Sequence, residues 1–207
     1  MRLLGDLLGR VMVEQEGEEL LAREEEIRQV SRRARDSGDP EVREELARAV
    51  GELDLGQQTK ILRAFTLYFQ LANLAEQHHR VRRRRDVERG SGTPRESLAE
   101  AFDHLRRAGV SREELVGASR RISLELVLTA HPTEATRRTI LASHVRLGRL
   151  LQEFDAGEEI GERAAEEITI LWQTDEVRPQ RPRVRDEIRQ GLWFFEQSLP
   201  APQHWNQ

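Results

Sequence analysis

The chain has 207 residues, of which 37% are hydrophobic and 34% charged, with a formal net charge of −4. That length suits one sizeable domain or part of a larger one, and the acidic balance speaks against a polyanionic partner such as nucleic acid. The absence of cysteine excludes disulfides and thiolate metal sites, and no apolar run suits a membrane span or a signal peptide, so a soluble cytoplasmic protein with no membrane partner is expected.

Residues 3–35 carry charged and apolar positions at helical spacing and predict one or two long helices, with Glu24 and Arg28 four apart in the stabilising order. Ser37-Gly38-Asp39-Pro40 predicts a stop and a restart: Gly38 suits a C-terminal cap, Asp39 an N-cap and Pro40 the first helical position, with the new helix running to about Val50. Gln57 to about Arg83 is the most apolar candidate helix. There Ile61, Phe65, Tyr68, Leu71, Ala72 and Ala75 recur at spacings of three and four, and Leu62, Phe69 and Leu74 widen the stripe. Thr93-Pro94-Arg95-Glu96 predicts a capping box for a helix ending near Gly109, and Ser111-Arg112-Glu113-Glu114 a second box for a short helix.

Residues 123–129 change period. Leu124, Leu126 and Leu128 alternate with Glu125, Val127 and Thr129, which predicts a strand over 123–130 with His131 at its end. Helices are predicted again from Glu134 to about Phe154, from Glu158 to about Thr174 and, after the prolines at 179 and 182, from Val184 to Leu199, with Ile188, Leu192, Phe195 and Leu199 as the buried stripe of the last. The reading is mostly α, about seven helices and one strand. A lone strand leaves its backbone groups without ladder partners, so this chain is expected to be a piece of a larger polypeptide.

Three local features single out residues 129–138. Pro132 disfavours helical geometry at His131, Thr133 can cap a following helix, and a helix start favours phosphate or carboxylate. Arg137 and Arg138 can add forked, charge-assisted hydrogen bonds to the same anion. Histidine exchanges protons near neutral pH. On these signals alone two readings stand side by side: an active site, or a histidine that closes a strand next to arginines on a solvated helix face.

Val127-Leu128-Thr129-Ala130-His131-Pro132-Thr133-Glu134, followed by Arg137-Arg138, closely resembles the active-site signature of the phosphoenolpyruvate carboxylase family. Leu8-Gly9-Arg10-Val11, Gly17, Ile27-Arg28 and Ser31-Arg32 are similar to that family's first helices. Ala64-Phe65 and Leu71-Ala72-Asn73-Leu74-Ala75-Glu76-Gln77 resemble a further helix, while Leu171-Trp172-Gln173-Thr174-Asp175-Glu176, Arg181-Pro182, Asp186-Glu187 and Gly191 resemble the segments after the histidine. The resemblance implies an N-terminal helical region, residues 1–122, followed by residues 123–207 with the first strand of a large α/β (TIM-like) barrel, the histidine loop and further helices; the rest of the barrel is absent.

It further implies conversion of phosphoenolpyruvate and bicarbonate, with Mg2+ or Mn2+, to oxaloacetate and phosphate through carboxyphosphate and an enolate, in anaplerotic supply of the tricarboxylic acid cycle. His131 takes the role of catalytic base, and Arg137 and Arg138 are candidate substrate contacts. The metal-binding carboxylates, phosphate loops and catalytic lysine of the family are expected beyond Gln207. The full-length enzyme is expected to be a homotetramer, and the isolated chain inactive. The competing reading is a helical interaction module derived from the same family without its reaction.

Other signals are weaker. Arg80-Val81-Arg82-Arg83-Arg84-Arg85 is followed at once by Asp86 and Glu88 and has no interleaved aromatics, which suits a solvated helix end better than a nucleic-acid surface. His78 and His79 point about 100° apart on a helix and do not chelate one ion from a single face. Asp175-Glu176 and Asp186-Glu187 suit caps and arginine partners better than metal ligation. Trp172, Trp193, Phe194 and Phe195 are expected to pack in the helical body.

Overall fold

In this computed structural model the described residues are 2–90, 92–93, 95–123, 125, 136–176 and 183–198. They are mostly helical and include no strand. The elements are α1 (Arg2–Glu16), α2 (Glu18–Ser37), α3 (Pro40–Gly51), α4 (Leu55–Arg89), α5 (Leu98–Arg107), α6 (Arg112–Ser119), α7 (Arg138–Asp155), α8 (Gly161–Gln173) and α9 (Val184–Ser198). Nine helices among the described residues exceed the seven expected. The predicted strand lies, apart from Ser123 and Glu125, outside the described residues, and so does His131.

The first helices begin and end where backbone chemistry requires. Gly17, at φ 92°, separates α1 from α2 within the stretch that reads as one or two helices. Gly38 ends α2 in the left-handed conformation at φ 66°, its N–H donating to the Ala34 carbonyl at 3.2 Å. The Asp39 carboxylate then accepts from Glu41 N at 2.9 Å, and Pro40 opens α3. At α4 the Asp54 carboxylate accepts from Gln57 N at 2.8 Å, while the Gln57 side chain accepts from Asp54 N at 3.2 Å. This reciprocal pair starts the helix two residues earlier than the periodicity suggests.

Chain contacts divide the molecule into two compact units, residues 1–78 with 135–181 and residues 79–134 with 182–207. The first has a conventional interior. Leu4, Leu7, Leu8, Val11 and Met12 of α1 recur at three- and four-residue spacing and pack with Ile61, Ala64, Leu67 and Leu71 of α4, with Ile140, Leu147, Leu150 and Leu151 of α7, and with Ala164, Ile168, Leu171 and Trp172 of α8. Each fully buried aliphatic side chain contributes roughly 1.5–3 kcal/mol by leaving water. The buried line of α4 is narrower than the predicted stripe: Leu62, Tyr68 and Phe69 are exposed. Only one edge of that apolar surface faces α1, α7 and α8.

In the second unit, α6 carries the predicted capping box, with Glu114 N donating to Ser111 Oγ at 3.2 Å and Ser111 N donating to the Glu114 carboxylate at 2.9 Å. The box predicted at Thr93–Glu96 does not form. Ser97 caps α5 instead, accepting from Glu100 N at 3.1 Å, and the Glu100 carboxylate accepts from Glu96 N. The competing Ser-x-x-Glu pattern lies closer to the apolar positions of the helix and prevails, leaving Glu96 at φ 57°. The last predicted stripe is also corrected: Ile188, Leu192 and Phe195 of α9 are exposed, and Leu199 lies outside the described residues. Helical periodicity reports which face is apolar, not whether anything covers it.

Candidate functional site

His131, Thr133 and the strand end predicted to hold them lie outside the described residues, so the geometry here is that of the scaffold on their C-terminal side. The helix predicted from Glu134 begins at Arg138. Arg137 occupies its N-cap position at φ −62° and ψ 140°, and the Arg137 carbonyl accepts the first helical bond from Leu141 N at 3.2 Å. Arg137 is half-buried and Arg138 exposed. The two candidate anion contacts are thus adjacent in sequence but differ in environment: one precedes the helix and the other opens it.

The body of α7 beyond these arginines is firmly held. Ile140, Ser143, Leu147, Leu150 and Leu151 line one face of the helix, and all five are buried. Arg146 on α7 donates from Nη2 to the Glu167 carboxylate of α8 at 2.8 Å and to Ser143 Oγ at 3.1 Å. Burial raises the Glu167 carboxyl, but the hydrogen bonds from Arg146 and Ser143 outweigh it and hold the group below its usual value. His144, one position after Ser143, places Nε2 3.1 Å from Gln70 Oε1 on α4. Burial holds the His144 imidazole below the ordinary histidine range.

The same face of α4 secures the segment after α8. The Gln70 amide donates to the Glu176 carboxylate. Arg63 donates to the Trp172 carbonyl at 2.7 Å and to Asp175 Oδ1 at 2.9 Å. Trp172 Nε1 donates to Glu16 Oε1 at 3.2 Å, and Lys60 pairs with the same carboxylate. The hydrogen bond from Lys60 lowers the Glu16 carboxyl, burial opposes it and the Trp172 bond reinforces it. Asp175 thus has the arginine partner expected of it, in Arg63, whereas Glu176 is paired with Gln70.

Gln70 and His144 were not singled out by sequence reasoning. Their one visible signal is a polar side chain beside buried apolar neighbours, Gln70 between Leu67 and Leu71 and His144 between Ile140 and Leu147. The remaining predicted groups separate. His78 Nε2 lies 3.4 Å from Asp155 Oδ2, while His79 is exposed. Arg84 pairs with Glu88 one turn on, at 3.3 Å. Trp172 is buried, Trp193 half-buried and Phe195 exposed; the Phe194 side chain lies outside the described residues. Among the described residues no three His, Asp or Glu side chains gather into a group able to hold a metal ion, and no helix is long and apolar enough to cross a membrane.

The family model of phosphoenolpyruvate carboxylase matches residues 1–203. The chain belongs to the phosphoenolpyruvate carboxylase family. Its match is to an N-terminal portion of the enzyme. It is 36% identical to a phosphoenolpyruvate carboxylase of Alcanivorax borkumensis over 208 aligned positions, covering 96% of this chain and 23% of the relative. It is 39% identical to the carboxylase of Roseiflexus castenholzii over 96% of this chain and 22% of that protein, and 40% identical to that of a Thermus species over 95% and 23%. The chain thus spans about 23% of the length of such phosphoenolpyruvate carboxylases.

Proposed function

We propose that this chain supplies the histidine-bearing N-terminal part of a phosphoenolpyruvate carboxylase, with residues 1–122 as a helical region and residues 123–207 as the first barrel strand, the His131 loop and the helices beyond it. The observation that carries the reading is the Val127–Glu134 sequence with Arg137 and Arg138 beyond it, inside a family match over residues 1–203.

In the proposed reaction, bicarbonate attacks the phosphorus of phosphoenolpyruvate. The enolate oxygen leaves with the electron pair of its P–O bond, giving carboxyphosphate and pyruvate enolate. The neutral His131 imidazole takes the carboxyphosphate proton; the bond between the carboxyl carbon and the phosphate-bridging oxygen breaks, and CO2 and phosphate form. The enolate carbon then attacks CO2 to give oxaloacetate. A general base works best with a pKa near ambient pH, which an imidazole of about 6.5 satisfies. Arg137 is proposed to orient anionic substrate, with Arg138 contributing less directly from its exposed position.

Mg2+ or Mn2+ is the cofactor this reading implies. The described residues offer no cluster that fits it. Its ligands are proposed to come from the further length of the family's chain, and no step above runs through the ion. A cytoplasmic homotetramer is the proposed state of the full-length enzyme.

The test is His131→Asn in a full-length carboxylase containing these 207 residues. Oxaloacetate formation, followed by coupled reduction to malate, is expected to collapse while phosphoenolpyruvate binding by calorimetry persists. Turnover equal to the parent enzyme removes His131 from the reaction.

A further inference from the structure

Gln70 stands on α4 where one polar side chain meets two other parts of the first unit at once. Its Nε2 donates to the Glu176 carboxylate, beyond the end of α8, and its Oε1 lies 3.1 Å from His144 Nε2 on α7. Gln70, His144 and Glu176 are all half-buried, so water competes only in part for these bonds.

The two bonds have a fixed sense. A carboxylate only accepts, so Glu176 takes the NH2 side of the amide and leaves the carbonyl oxygen for His144. His144 is then the donor, and its ring proton sits on Nε2. Glutamate at position 70 would have no proton for Glu176, and lysine or arginine would have no acceptor for His144. Burial, which holds the His144 imidazole below the ordinary histidine range, favours the neutral ring that this arrangement uses.

His144 in turn shares a side of α7 with Arg137. The two are seven residues apart, about two helical turns, and both are half-buried. Arg138, about 100° further round the helix, is exposed. The contact from α4 therefore falls on the side of α7 where Arg137 stands.

We propose that Gln70 is a positioning residue: by accepting from His144 and donating to Glu176 it sets the rotation of α7, and through it the placement of Arg137 toward the anionic groups of phosphoenolpyruvate. This rests on the reading of Arg137 as a substrate contact and does not require His131 to act as the base.

The test is calorimetric titration of phosphoenolpyruvate, with Mg2+ and without bicarbonate, into a full-length carboxylase containing these 207 residues. Gln70→Met keeps the length of the side chain and neither bond, and should weaken binding by about tenfold. His144→Gln keeps a donor and should bind as the parent does, whereas His144→Leu should match Gln70→Met. A role in packing alone would favour leucine over glutamine. In an Arg137→Ala background Gln70→Met should cause no further loss, because its effect runs through that arginine. Should Gln70→Met fail to fold, the two His144 variants decide the matter. Unchanged affinity in folded Gln70→Met, parental affinity in His144→Leu, or an equal loss from Gln70→Met with and without Arg137 would each overturn the proposal. Parental affinity in Arg137→Ala would overturn it together with the substrate contact it rests on. Parental turnover in His131→Asn counts against the catalytic base alone.

Discussion

Arg146 on α7 forks onto Glu167 on α8, with Nη2 2.8 Å from Oε2 and Nε donating to Oε1, and the same Nη2 reaches Ser143 Oγ at 3.1 Å. Ser143 is the one buried polar residue among those described, so this arrangement ties two core-forming helices together at their polar seam. The Arg146 side chain is 44% exposed, which limits the pair to about 1 kcal/mol after solvent screening. Arg146→Ala should lower unfolding free energy in urea by about that amount, and Arg146→Lys should restore only part, because an ammonium cannot fork across both carboxylate oxygens. Unchanged stability in Arg146→Ala would show that the tie contributes nothing.

Truncations should separate the two units. Leu147 is completely buried on α7, and Leu147→Ala should cost about 2–5 kcal/mol through lost transfer energy and a residual cavity. Leu192 on α9 is exposed, and Leu192→Ala in the isolated chain should stay within about 0.5 kcal/mol. Comparable losses at both positions would contradict the assignment of the core to the first unit.

Acid should destabilise the chain in two stages. The folded-state pKa of His144 lies below its unfolded value, so as pH falls below about 6.5 the unfolded chain binds protons that the folded chain does not, and stability drops. Glu16 and Glu167 are also depressed, from a starting value of 4.5; their contribution is present above that value and lost as pH falls through their folded values. Glu24 acts in the opposite sense, because burial raises its carboxyl and its ionisation opposes folding. Urea midpoints should therefore decline from about pH 7 to 5.5 and decline further below about 4.5, with His144→Gln removing the first decline. A wild-type midpoint that is flat between about pH 7 and 5.5 refutes the histidine contribution.

The Gly38–Asp39 junction offers a local test. Asp39→Ala removes the acceptor for Glu41 N and should cost about 1 kcal/mol, whereas Asp39→Asn keeps an acceptor and should cost only a fraction of that. Equal losses for the two variants would mean that the cap hydrogen bond is not what holds the start of α3.

The reading of proton transfer at His131 makes a further prediction for the 207-residue chain by itself. Assayed alone with phosphoenolpyruvate, bicarbonate and Mg2+, it should form no oxaloacetate, because the proposed reading draws the metal ligands from the further length of carboxylases of which this chain spans about 23%. Turnover by this chain alone would show that its residues suffice for the reaction.

By itself the sequence determined what is local and what is inherited. The caps at Gly38, Asp39 and Ser111 were legible because they depend on hydrogen bonds within a few residues, and the family was legible in Val127–Glu134 and the Leu71–Gln77 and Leu171–Glu176 segments. Only tertiary structure decided which edge of α4 is buried, that Gln70 joins His144 to Glu176, that Arg63 holds the end of α8, and that α9 exposes the stripe its periodicity marks for burial. The physical reason is common to these cases. Periodicity fixes the direction of a side chain relative to its own helix, whereas burial and pairing depend on what another, distant stretch of chain brings against it.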